Sequence, residues 1–172
     1  WLQSAQPEFF NTFSTDGILE FSNLKANDFS SDFPIQEVST GSAFVIVPLQ
    51  NKSALTNLEL NSSKMNEWLQ LNCKTNFRAL YFFCLEEGNI HSRMLYFENN
   101  QLKEDAATGS ASTCLQAFLL KYYSTDLKII NHQGDAIGRP SKIYFDGKST
   151  KNDFEIKIGG KTQFIAKGEW EV

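Results

Sequence analysis

From residue 111 to residue 120 the chain has almost no polar face. Ala111, Cys114, Leu115, Ala117, Phe118, Leu119 and Leu120 cover nearly the whole circumference of a helix, which predicts a helix buried on all sides. A polar loop carrying Glu104 and Asp105 leads into it through Thr108-Gly109-Ser110. The first N–H groups of a helix have no intrahelical partner. Small residues at 108–112 leave those groups open to something outside the helix, and an anion is their natural ligand. Asp105 then stands one short loop from such an anion, where a carboxylate can hold or move a proton.

Elsewhere the periodicity is mostly that of strands. Residues 42–49 form a β-branched apolar run stopped by Pro48, a strand. Residues 77–85 and 92–97 read as aromatic strands joined through Glu86-Glu87-Gly88-Asn89, a hairpin turn. Beyond the apolar helix, strands are predicted near 127–131, 140–145, 154–158 and 162–166, with Gly147, Gly159-Gly160 and Gly168 as punctuation. Residues 18–21 read as a short strand and 23–29 as a helical turn. Helices are predicted over 53–58 and 62–71, the second with Met65, Trp68, Leu69 and Leu71 near one face. Residues 1–15 show no clear periodicity and read as a connecting segment. Many short strands around one apolar helix predict an α+β domain, in which a mixed, curved, barrel-like sheet wraps that helix.

Composition narrows the function. A chain of 172 residues, 41% hydrophobic, suffices for one core and one domain, and its 15 Phe make that core aromatic. A net charge of −4 with no Lys/Arg cluster argues against a phosphate-tracking surface, so nucleic acid is not an expected partner. No apolar run approaches the roughly 20 residues that span a bilayer, and no charged, apolar leader opens the chain, so neither membrane nor secretion is indicated. Cys73, Cys84 and Cys114 are odd in number and lack CxxC spacing. That fits neither a disulfide framework nor a zinc site, and suits a reducing cytoplasm. His91 and His132 have no metal-ligand spacing, so no metal is expected at either, and each reads as a surface or supporting residue. Asn51-Lys52-Ser53 and Asn61-Ser62-Ser63 match the glycosylation pattern, which is frequent by chance. A chain starting at Trp1 without Met reads as processed, truncated or part of something larger.

Gly109-Ser110-Ala111-Ser112 has neither the GxSxG nor the SxxK setting of a serine nucleophile. A lone Gly109 makes no phosphate loop or dinucleotide fingerprint. From the residues alone, Asp105 is either a proton-handling carboxylate or a helix-capping Asp, and Thr108 or Ser110 is the cap. Arg139 is either a planar fork for a carboxylate or an ion-pair partner that holds the start of the strand after it. Glu104 reads as a solvated or structural charge, and Cys114 as packing.

Glu104-Asp105-Ala106-Ala107-Thr108-Gly109-Ser110-Ala111 closely resembles the Glu-Asp-Pro-Ala-Thr-Gly-Ser-Ala signature of the PhzF-like phenazine-biosynthesis isomerases. Gln133-Gly134-Asp135-Ala136-Ile137-Gly138-Arg139-Pro140-Ser141 resembles a second element of that family, and Ser39-Thr40-Gly41 a third, in the same order. The resemblance implies the diaminopimelate-epimerase-like fold, two similar halves with a site between them, of which this chain is the C-terminal half. Residues 1–15 would be the crossover from an N-terminal half, and 16–172 the C-terminal domain. The Asn-x-Ser-Glu-Thr setting of the family's catalytic Glu and its Gly-His-Ala-Thr loop do not occur in this sequence. Ala106 replaces the usual Pro, which costs the loop a little stiffness.

The resemblance further implies cofactor-independent acid/base isomerisation of a small carboxylate-bearing molecule. Asp105 is then catalytic, Thr108, Gly109 and Ser110 bind the substrate, and Arg139 is a further candidate. The expected partners are that substrate and the N-terminal half, with a homodimer as an alternative. The rival expectation is a non-catalytic binding or dimerisation module derived from such an enzyme.

Overall fold

The computed structural model describes residues 1–73, 79–151, 153–163 and 165–169. Among them, ten strands form one mixed sheet: β1 (Leu2–Gln3), β2 (Glu8–Phe13), β3 (Ile35–Ser39), β4 (Ala43–Pro48), β5 (Ala79–Glu86), β6 (Asn89–Glu98), β7 (Gln101–Asp105), β8 (Asp126–Gln133), β9 (Ser141–Ser149) and β10 (Phe154–Gly159). The helices are α1 (Thr15–Leu19), α2 (Lys52–Thr56), α3 (Ser62–Asn72) and α4 (Gly109–Tyr122). Hydrogen-bonded neighbours run β1-β10-β9-β8-β6-β5-β4-β3-β2, with β7 on β6. The β4/β5 and β6/β8 pairs are parallel, and the others are antiparallel.

The two ends of that order belong to neighbouring stretches of chain. After β1 pairs with β10, the Gln6 amide donates to Phe154 O and accepts from Phe154 N, both at 3.0 Å. These are the two bonds a strand residue would make, supplied by a side chain. β2 then pairs with β3 at the opposite end, and the Phe9 and Phe154 rings meet at 5.8 Å. Residues 1–13 thus stitch the sheet into a curled half-barrel, which protects edges that would otherwise stay open.

Every residue of α4 from Ala111 to Leu120 is buried, as its nearly all-round apolar surface predicts, and Ser112, Thr113 and Gln116 are buried with the rest. It fills the half-barrel against the inward residues of the strands, among them Phe44, Ile46, Tyr81 and Phe83. The alternate residues Val45, Val47, Leu80 and Phe82 face a second apolar layer beneath α1, α2 and α3. β4 and the start of β5 are therefore apolar without alternation, because both faces are covered. No helix among the described residues is long and apolar enough to cross a membrane.

The predicted strands 42–49, 92–97, 127–131, 140–145 and 154–158 and the helices 53–58 and 62–71 are present within a few residues. The strand predicted from Phe77 begins at Ala79, and Phe77 itself lies outside the described residues. Residues 18–21 depart from expectation. Ile18, Phe21 and Leu24 are all buried at three-residue spacing, a helical and not an alternating period, and Thr15–Leu19 is the helix α1. On α3, Met65 and Leu69 are buried one turn apart, which leaves Leu71 on the far side, 77% exposed. Thr162, Gln163, Ile165 and Ala166 lie in no strand, because β1 already occupies the free edge of β10. Sequence reasoning missed β1, β2, β3 and β7, and the aperiodic residues 1–15 hold two of them.

Candidate active site

Three loops meet at the start of α4. The first is the turn from β7 into the helix. Asp105 ends β7, Ala106 is buried, and Thr108 takes the cap position. The Thr108 side chain does not cap; its hydroxyl donates to Asp105 Oδ2 at 2.8 Å. Ser112 N donates to Thr108 O, so the N–H groups of Gly109, Ser110 and Ala111 precede the first helical donor and have no acceptor within the helix. Gly109 and Ser110 are exposed, and the helix dipole places about half a positive charge beside them.

The second loop follows β8. The Gln133 Nε2 group donates to Asp105 O at 2.9 Å and to Thr108 Oγ1 at 3.0 Å, while Thr108 N donates back to Gln133 Oε1 at 3.4 Å. Gly134 has φ +86°, and a Cβ there would lie 2.4 Å from Arg139 O and 2.8 Å from Ala106 O. Only glycine allows this loop to close on itself and to rest on the Asp105–Ala106 backbone. The third loop, between β3 and β4, brings Thr40 Oγ1 to 2.5 Å from Thr113 Oγ1 and 3.5 Å from Cys114 Sγ. All three sequence elements thus pack on one end of one helix.

Beneath them lies a buried polar cluster that sequence reasoning missed. Tyr81 Oη on β5 donates to Gln133 Oε1 at 2.8 Å and receives Asn131 Nδ2 at 2.8 Å. Ser92 Oγ on β6 lies 2.8 Å from Asn131 Oδ1 and 3.1 Å from Tyr81 Oη, and Ser112 Oγ is 3.2 Å from the same phenol. Burial raises the Tyr81 pKa, with the Asp105 charge adding and hydrogen bonds from Ser112, Ser92 and Asn131 opposing. Tyr81 is therefore a neutral phenol with one proton to give. The only signal in sequence is that Tyr81, Asn131 and Gln133 fall at inward positions of apolar strands.

The remaining candidates fall outside this cluster. A groove of about 880 Å³ passes Ala107 and Gly109 toward Ile143, Ile158, Trp1 and Gly159, while Asp105 is half-buried and does not line it. Arg139 is exposed, with no ion pair among the described residues; its backbone N donates to Gly134 O at 2.9 Å. Glu104 is paired with Arg93 at 2.8 Å, where Arg93 also donates to Leu55 O and Leu58 O, a structural tie on the outer face of the sheet. Cys114 is buried and donates to Ser42 O, and burial pushes its thiol up to about 11. His91 and His132 stack as a cross-strand pair, 5.1 Å between centroids. No set of three His, Cys, Asp or Glu side chains that could hold a metal occurs among the described residues.

Known proteins are similar to this chain along nearly its whole length. The family model of phenazine biosynthesis-like proteins (PhzC-PhzF) matches residues 3–168. An uncharacterized isomerase of Clostridium acetobutylicum is 28% identical over 160 residues, covering 88% of this chain and 52% of the relative. One of Pasteurella multocida is 25% identical over 154 residues, covering 90% and 50%. The chain spans about half the length of these curated relatives. Among solved structures, the Bacillus anthracis phenazine biosynthesis protein of the PhzF family superposes with a TM-score of 0.77 at 22% identity, over 92% of this chain and 56% of that one. A predicted epimerase of Pseudomonas aeruginosa gives 0.66 at 24% identity, over 96% and 58%. These two share the curled half-barrel around a central helix. The chain belongs to the phenazine biosynthesis-like (PhzC-PhzF) family.

Proposed function

We propose that this chain is the C-terminal lobe of a PhzF-like isomerase, acting in the cytoplasm without metal or organic cofactor on a small carboxylate-bearing substrate. One observation carries the reading. The Thr108 hydroxyl is turned away from the helix cap and onto Asp105, so one loop presents open helix N–H groups and a held carboxylate side by side. In this reading the Gly109 and Ser110 N–H groups bind the substrate carboxylate, with Thr108 shaping the turn and Arg139 as a candidate second contact. Asp105 orients the group that gains or loses a proton. A Glu from an N-terminal lobe, in an Asn-x-Ser-Glu-Thr setting, would carry that proton, and closing the lobes would exclude water. Residues 1–15 would cross over from that lobe while their strands seam this one. A cyclic amino-acid-like carboxylate such as a dihydrohydroxyanthranilate is the substrate class that the family resemblance suggests.

The test is the rate at which this chain, joined to an N-terminal lobe, isomerises such a substrate, followed by NMR of substrate and product. Asp105→Ala is expected to lower the rate by about 10²–10⁴-fold, the usual worth of a positioned acid/base group, with the fold intact. An unchanged rate would remove Asp105 from the reaction.

A second reading, a binding or self-associating module, draws on Trp1 and Leu2, which are 77% and 55% exposed beside the groove. Sedimentation equilibrium distinguishes it: a dimer that Trp1→Ser disrupts supports self-association through this face, and a monomer argues against it.

A further inference from the structure

Two backbone groups fix the orientation of the Gln133 amide. Asp105 O can only accept, so the atom facing it at 2.9 Å is Nε2; Thr108 N can only donate, so the atom facing it is Oε1. The rest follows link by link. Tyr81 Oη, at 2.8 Å from an oxygen with no proton, must donate to it. Its single proton is then spent, so the group at 2.8 Å on its other side must donate, and Asn131 presents Nδ2 there. Asn131 Oδ1 therefore faces Ser92, whose shorter contact receives the Ser92 proton. At the other end Thr108 Oγ1 accepts from Gln133 Nε2, and its own proton goes to Asp105 Oδ2.

We infer that Ser92, Asn131, Tyr81, Gln133 and Thr108 form a one-way hydrogen-bond relay that commits the Thr108 proton to Asp105 Oδ2, and that Tyr81 is its central positioning residue. The five side-chain links all run the same way, from Ser92 to Asp105, and such chains polarise one another in a dry interior. The relay holds Asp105 Oδ2 as an acceptor, which fixes the carboxylate's rotation and leaves Oδ1 to meet a ligand. It also keeps Thr108 off the helix cap, so that the Gly109 and Ser110 N–H groups stay open. Tyr81 touches no ligand in this arrangement; it acts through Gln133.

The inference rests on the reading of Asp105 as the substrate-facing carboxylate. Its test uses the chain alone with no substrate, so failure of the relay and failure of the isomerase reading are separate results. The measurement is proton exchange by NMR at the Gln133 carboxamide and the Thr108 hydroxyl, with Leu80 and Phe118 backbone amides as a record of the fold. In Tyr81→Phe both side-chain groups are expected to exchange about tenfold faster than in the wild type, the equivalent of one hydrogen bond, while the two backbone amides keep their protection. Ser112→Ala, which removes a Tyr81 neighbour off the relay, is expected to leave both unchanged. Should Tyr81→Phe not fold, Ser92→Ala removes the first donor and is expected to speed the same two groups to a smaller degree. Unchanged exchange at Gln133 and Thr108 in the folded variant would overturn the relay, as would equal acceleration by Ser112→Ala.

Discussion

Thr108 sits at the cap of α4 yet gives its hydroxyl proton to Asp105 Oδ2, 2.8 Å away. A Thr at this position ordinarily bonds the helix's own N–H groups. Here the side chain is buried between Asp105 and Gln133 and serves the loop before the helix. Thr108→Val keeps the shape but leaves a Gln133 donor and a carboxylate oxygen without their partner. A loss of about 1–3 kcal/mol is expected from urea unfolding, and Thr108→Ser should retain most of the stability.

Two glycines in the loop after β8 should respond differently to alanine. Both have positive φ, +86° at Gly134 and +68° at Gly138. A Cβ at Gly138 meets nothing within 4 Å, so Gly138→Ala should cost only the left-handed backbone, about 1–2 kcal/mol. At Gly134 the same Cβ collides with two backbone oxygens that cannot easily move. Gly134→Ala should destabilise the protein more, and shift the NMR signals of residues 105–108, to which the loop is packed.

The Arg93–Glu104 pair is a stability element and not part of the site. Their side chains are 15% and 8% exposed, and the guanidinium also ties the carbonyls of Leu55 and Leu58 to β6. Glu104→Gln leaves a buried, partly unpaired cation, and a loss near the lower end of about 3–5 kcal/mol is expected in denaturant unfolding. Carboxylate binding at α4 should be unchanged in the folded variant.

Stability should fall in mild acid because of His91. Burial lowers its pKa from the ordinary 6.5, with Lys52 and His132 adding and Asp135 and Glu86 opposing. Folding therefore favours the neutral ring. Below 6.5 the unfolded chain takes up a proton that the folded chain resists, so this contribution is fully present above 6.5, falls as pH drops through it, and levels off below the folded value. Thermal melts from about pH 7 to about pH 5 should show a declining Tm, and His91→Gln should flatten that slope.

The parts of the fold legible in sequence were those whose burial is simple. α4 is apolar on nearly every side because it is surrounded, and β4 is apolar throughout because both faces are covered. β3 was illegible for the opposite reason. Its residues Ile35–Ser39 are all buried, yet Gln36 and Glu37 are among them, and the Gln36 amide is occupied by Phe10 O and the Tyr122 hydroxyl. Polar residues satisfied by distant partners look like a loop in sequence. The site divides in the same way. Asp105, Thr108 and Gly109 stand together in one short motif, whereas Tyr81, Ser92 and Asn131 come from three strands and meet only when the sheet is paired.

The most direct test of a carboxylate site at the start of α4 is an NMR titration of the ¹⁵N-labelled chain with anthranilate. Saturable shifts centred on the Gly109 and Ser110 amides are predicted, since their N–H groups would face the added carboxylate. Saturable shifts elsewhere with none at residues 107–111, or no saturable shift at all, would contradict the account.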